Sequence, residues 1–225
     1  MKTPHKRHNN GFTLIELLVV MAIIATLAAV GFSAGMKAIN NAHKVEAQNT
    51  CTTIESGINR FYDEYGALPY VGSSAPTVDT GYRTSTSTKD GGNVKQLSSG
   101  IDIISVLLAK ESTSAQSATM QNSKQVKYID LQTAKGKAQS QGGPPKGGIA
   151  YASGAANAPE SLNDPWGNSY AIFLDYDYSE DIVVPVPDST SSGTSTTRVR
   201  GRHALCYTLG ASQSERKVAD IVKTW

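Results

Sequence analysis

The 225-residue chain has little of what most active sites and metal centres are built from. Its two cysteines, Cys51 and Cys206, form no CxxC pair, so the usual cysteine frame of a zinc site is missing. Only two of its four histidines, His43 and His203, lie beyond residue 11, which puts a histidine metal cluster out of reach there. His203 and Cys206 stand three apart, and on a strand that odd separation points them to opposite faces, against a nucleophile pair. The one G-x-S-x-G, GFSAG at 31–35, falls inside a long apolar run and not at a strand-to-helix turn, and there is no phosphate loop. A charge excess is also missing: 21 Lys and Arg stand against 19 Asp and Glu, with no broad basic stripe. Nucleic-acid binding therefore lacks electrostatic support. The expectation is a protein that is not an enzyme.

What the chain does have is one long apolar run. From Phe12 to Met36 only Thr13, Glu16, Thr26 and Ser33 add polar side chains, and no Lys or Arg interrupts. As a helix this run would reach about 37 Å, enough for a hydrocarbon core of roughly 30 Å. Lys2, Lys6 and Arg7 all precede it, which keeps the short N-terminus cytoplasmic and turns the rest outward. A removable secretory signal is the competing explanation. It calls for a shorter apolar core, about 7–15 residues, followed by a small-residue cleavage site.

Glu16 is the anomaly. A carboxylate within a hydrocarbon span costs a few kcal/mol, so such a residue usually has a partner. The order basic leader, Gly11, Phe12, Thr13, Leu14, Ile15, Glu16 and then an apolar helix resembles the prepilin N-terminus of type IV pilins and type II secretion pseudopilins. The resemblance implies that a prepilin peptidase cuts between Gly11 and Phe12 and that the new Phe12 amine is N-methylated. It further implies that Glu16, fifth in the mature chain, meets the N-terminal ammonium of a neighbouring subunit in a filament. Loss of the leader takes three of the 21 basic residues away and leaves 18 against 19 acidic.

Helical periodicity continues past the membrane. Ile54, Ile58, Phe61, Tyr62 and Tyr65 fall on one stripe of an amphipathic helix, and Gly66 and Pro69 are its stop signals. A single helix from Phe12 to Tyr65 would be ~80 Å long. Where the family commonly places a helix-weakening glycine and proline, this chain has Ala25 and Ser33. Gly31 and Gly35 form a small-xxx-small pair nearby, open to either close packing or an ordinary membrane-helix role.

The chain thus divides into a cleaved cytoplasmic leader (1–11), a transmembrane half-helix (12–36), an amphipathic half-helix (37–66) and one outward domain (67–225). The expected fold class is α+β, a long N-terminal helix packed on a small antiparallel sheet. IDIISVLLAK (101–110) is expected as a helix, VKYIDL (126–131) as a strand or ordered segment, and NSYAIFLDY, DIVVPV and HALCYTL as strands. The Ser-, Thr- and Gly-rich stretches 71–100 and 188–200 and the polar tracts 112–124 and 134–148 are expected as surface loops. Asp175, Asp177 and Asp181 alternate in DYDYSED; such clustered oxygens suit calcium, but the loop lacks the glycine of an EF-hand, and on a strand the three would share a solvated face. Cys51 and Cys206 would pair in an oxidising compartment or serve as small buried residues; spacing alone decides neither.

FYDEYGALP (61–69), DPWGNSY (164–170), YTLGAS (207–212) and the closing ADIVKTW (219–225) carry a second resemblance, to the major pseudopilin of type II secretion. It implies a homopolymer, joined by minor pseudopilins, that forms a periplasmic pseudopilus on an inner-membrane secretion platform. A surface pilin for adhesion, motility or DNA uptake is the alternative. In that family the loop after the Leu-Gly segment binds calcium. By position the Leu209 carbonyl and Asp220 are the matching ligands, but Ser212 replaces an aspartate, which weakens the set. Within DPWGNSY, Pro165 and Gly167 suit a turn and Trp166 suits a core anchor.

Overall fold

The computed structural model describes residues 13–85, 97–111, 120–135, 145–152, 158–187, 194–211 and 221–225. Gly11, Phe12, Ser212 and Asp220 lie outside the described residues, as does the side chain of Ser33. The chain divides into two units at Ala42–His43, and helix α1 (Leu14–Tyr65) contributes to each.

In the first unit α1 is long and apolar enough to cross a membrane. Its Leu14, Ile15, Leu17, Leu18, Ile23, Leu27 and Phe32 side chains are all exposed. Exposure of so many large apolar groups is tolerable where lipid or another protein replaces water.

In the second unit α1 is one-sided. Ala47, Cys51, Ile54, Ile58 and Phe61 are buried at alternating spacings of four and three, so the stripe begins two turns earlier than Ile54. The helix ends where expected: Gly66 takes a φ of 68°, and its N–H donates to the Tyr62 carbonyl at 2.7 Å. Gly57 lets another segment approach, because a Cβ there would collide with Ile129 Cγ2. That segment is VKYIDL, which buries Tyr128 and Ile129 without forming a strand.

The main sheet has five strands: β1 (Thr80–Arg83), β2 (Ser98–Ser99), β5 (Ala171–Leu174), β8 (Ala204–Thr208) and β9 (Val222–Lys223), in the order β2-β1-β5-β8-β9. All pairs are antiparallel except β1 with β2. Two ribbons accompany it, β3 (Gly148–Tyr151) with β4 (Pro159–Asn163), and β6 (Asp181–Pro187) with β7 (Thr194–Arg200). Helix α2 (Ile101–Leu107) buries Ile101, Ile103, Ile104, Val106 and Leu107.

Both faces of the central strands are covered. Ile172, Leu174, Ala204 and Cys206 join the core with α1 and α2, while Ala171, Phe173, Leu205 and Tyr207 join Ile182 and Val184 of β6. This two-sided burial makes AIFL and ALCYT read as continuous apolar runs instead of alternating ones. The fold is therefore α+β, a long helix with a small, mainly antiparallel sheet, as expected.

Three expectations need correction. The stretch 71–100 is not all loop: it supplies β1 and β2, and Tyr82 of β1 is buried. The tract 188–200 is not all loop either, since residues 194–200 form β7 along the whole length of β6. Its threonines and Val199 are β-branched and suit a pleated ribbon despite their polar composition. Asp175, Asp177 and Asp181 do not share a solvated face. Tyr178 and Glu180 both take a φ of 55°, which breaks any strand there, and Asp175 is fully buried.

Candidate functional site

The first candidate residue, Glu16, stands at the start of α1. Thr13 donates to its Oε2 twice, from the backbone N at 2.8 Å and from Oγ1 at 2.7 Å. In return the Glu16 N–H donates to Thr13 Oγ1 at 3.3 Å. This reciprocal exchange is a capping box, satisfying two of the N–H groups that a helix leaves unpaired at its first turn. The signature Thr-x-x-Glu is legible in TLIE, and reading Glu16 solely through an intersubunit partner overlooks it. Glu16 thus has a local role as a helix cap.

A second site is built by DPWGNSY. Asp164 is fully buried, and its Oδ1 accepts from Trp166 N at 2.9 Å and Asn168 N at 2.8 Å. Its Oδ2 accepts from Asn168 Nδ2 at 3.0 Å and Thr208 Oγ1 at 2.7 Å. Burial pushes this carboxyl above the usual carboxylate range, and the four donors pull against that push. Asn168 Nδ2 also donates to the Gly210 carbonyl at 2.8 Å. Two motifs some forty residues apart are thereby clamped into one unit, and β8 leaves it through Leu209. Gly167 takes the expected positive φ, 99°. Trp166, expected as a core anchor, is only half-buried and meets the edge of His43 with ring centroids 5.6 Å apart. Of the expected calcium ligands, Leu209 is described and buried.

A third cluster joins Asp79, Asp175 and Asp177, each with a carboxylate oxygen within 4.8 Å of the others. Asp79 was not singled out by the sequence, because it comes from the loop before β1, nearly a hundred residues away. Its carboxyl is pushed up by burial first and then by the charges of Asp177 and Asp175. Asp177 is held down by hydrogen bonds from Ser179. Asp175 accepts from Ser179 N and Glu180 N at 3.0 Å each, and His203 Nδ1 lies 3.4 Å from it. The arrangement is a loop braced by its own carboxylates. Asp181 is elsewhere, paired with Arg198 at 3.0 Å and Arg200 at 3.7 Å.

His203 and Cys206 are not brought together: His203 packs on Tyr62, whereas Cys206 lies in the core beside Cys51.

Residues 6–32 match the family model described as the prokaryotic N-terminal methylation motif. The N-terminal segment is type IV pilin-like. The match brackets Gly11, Phe12, Thr13 and Glu16 together with most of the apolar half of α1. The chain is also similar to the fimbrial protein EcpC of Eikenella corrodens, with 34% identity over 64 residues, which is 28% of this chain and 42% of that relative. The alignment thus spans about two fifths of the relative's length. No solved structure matches.

Proposed function

We propose that this pilin-like chain is a structural subunit of a membrane-anchored filament, a pseudopilin of a type II secretion-like machine, and not an enzyme. A prepilin peptidase cuts between Gly11 and Phe12, and the new amine is methylated. The apolar half of α1 then holds the subunit in a bacterial inner membrane, with its C-terminal domain in the periplasm. Subunits polymerise with one another and with minor pseudopilins on the inner-membrane platform of the machine.

The observation that carries this reading is Glu16, a carboxylate inside an apolar segment that matches the methylation motif. The pseudopilin form is favoured by the clamp that Asp164 and Asn168 make between DPWGNSY and the YTLGAS segment. The fimbrial relative favours the alternative, a pilin of a surface pilus.

Deleting the gene separates the two. The proposed outcome is loss of protein secretion into the medium, with surface pili still assembled and restored secretion on complementation. Loss of surface pili with intact secretion would instead establish the alternative.

Calcium is not proposed as a requirement, because Ser212 stands where the resembled set has an aspartate. Chelation by EDTA is expected to leave the Tm of the detergent-extracted chain almost unchanged. A gain of several degrees on adding calcium, abolished by Asp220→Ala, would contradict this.

A further inference from the structure

Cys51 comes from the buried stripe of α1 and Cys206 from the centre of β8, and both are free thiols in the structure. They belong to one core cluster, with exposures of 0% and 1%, where the buried stripe of α1 meets the central strands. Isolated buried cysteines act as small apolar residues; two that come from a helix and a strand packed into one core are also candidates for a covalent bond.

We propose that Cys51 and Cys206 are a cross-link site, and that the native chain carries a disulfide fastening α1 to β8. The proposal rests on the reading above that residues beyond the membrane segment face an oxidising compartment.

The chemistry sets when the bond must form. The attacking species is a thiolate, and burial raises the Cys206 thiol well above its ordinary range, with the neighbouring Cys51 adding to the effect. No external oxidant reaches a sulfur that is sealed in the core. Oxidation therefore belongs to folding, before α1 docks on the sheet. The oxidant is a protein or small-molecule disulfide. One cysteine thiolate attacks it, breaking its S–S bond and forming a mixed disulfide. The second cysteine thiolate then displaces the oxidant's remaining sulfur. Two protein thiols lose two electrons and two protons, and the oxidant is reduced to two thiols. Once α1 packs, the finished bond is as protected from reductants as the thiols are from oxidants.

The bond would tie the amphipathic half of α1 to a central strand across about 150 residues of intervening chain. A constraint on so long a loop raises the Tm by roughly 10 °C in a domain of this size. The same covalent tie transmits any pull on the helix directly to the sheet.

The test uses the full chain extracted from membranes with detergent. It is denatured in guanidinium with an excess of maleimide and no reductant, then weighed. The expected result is an unlabelled monomer, lighter by two hydrogens than the reduced chain, which takes two labels after reduction. Cys51→Ser should take one label without reduction and melt lower. Two labels on the unreduced wild-type chain, or a cross-linked dimer, would overturn the proposal. Refolding the reduced chain in a glutathione redox buffer then locates the fault. If the bond forms there, the geometry is right and the compartment was misassigned; if it does not, the geometry itself is at fault.

Discussion

Glu16→Leu is expected to abolish filaments while leaving the protein in the membrane. Removing the carboxylate lowers the insertion cost by up to ~3 kcal/mol, so insertion is normal or easier. What would disappear is the proposed attraction to a neighbour's Phe12 ammonium, which is strong only where water is scarce. Leucine also breaks the capping box with Thr13, a loss of about 1 kcal/mol at the first turn. The two losses are separable. Glu16→Gln keeps an acceptor for the Thr13 N–H and so preserves the box, yet removes the charge. If charge pairing drives assembly, the glutamine variant fails to make filaments as leucine does, and Glu16→Asp is intermediate because it reaches less far. Immunoelectron microscopy of processed variants reads the outcome. Normal filaments from Glu16→Gln would reduce Glu16 to a helix cap.

The second large effect is expected at Asp164, far from the membrane. Asp164→Ala strips acceptors from the Trp166 and Asn168 N–H groups and from the Thr208 hydroxyl, in a site with no exposure. Each buried donor left unpaired costs about 1–3 kcal/mol, so the total loss is ~4 kcal/mol, or a Tm drop of roughly 10 °C. Asp164→Asn keeps the shape and one oxygen, but its amide meets the Asn168 amide donor to donor, so its loss should be about half as large. Thermal denaturation of the extracted chain followed by circular dichroism measures both. An unchanged Tm for the alanine variant would show that water replaces the carboxylate and that the clamp is not rigid.

The legible parts of the fold were those where burial follows a period. The stripe through Ile54, Ile58 and Phe61 is visible because α1 covers the core with one face only, and AIFL and ALCYT because both faces of those strands are buried. β1 was illegible for a physical reason. TGYR looks like a turn, yet Gly81 is there because the Phe173 ring lies against its backbone, where a Cβ would collide. β7 was hidden by its serines and threonines, since the strand's partner β6, not its own composition, makes it a strand. DYDYSED misled through its regular spacing. Two positive φ angles curl the chain there and bring Asp175 inward against Asp79, a contact no local pattern announces. Among candidate residues, Glu16 was conspicuous because charge within an apolar run is costly. Asp164 carries no signal of its own within DPWGNSY, since its reach to Thr208 depends on tertiary structure.

The central claim is that the chain is made as a prepilin and matured at Gly11–Phe12. Mass spectrometry of the N-terminal peptide from membrane-extracted protein tests it most directly. The expected result is a chain beginning at N-methylated Phe12, and a retained leader in Gly11→Val. A mature chain that starts beyond Met36, or a wild-type chain that keeps its leader in cells making an active prepilin peptidase, would contradict it.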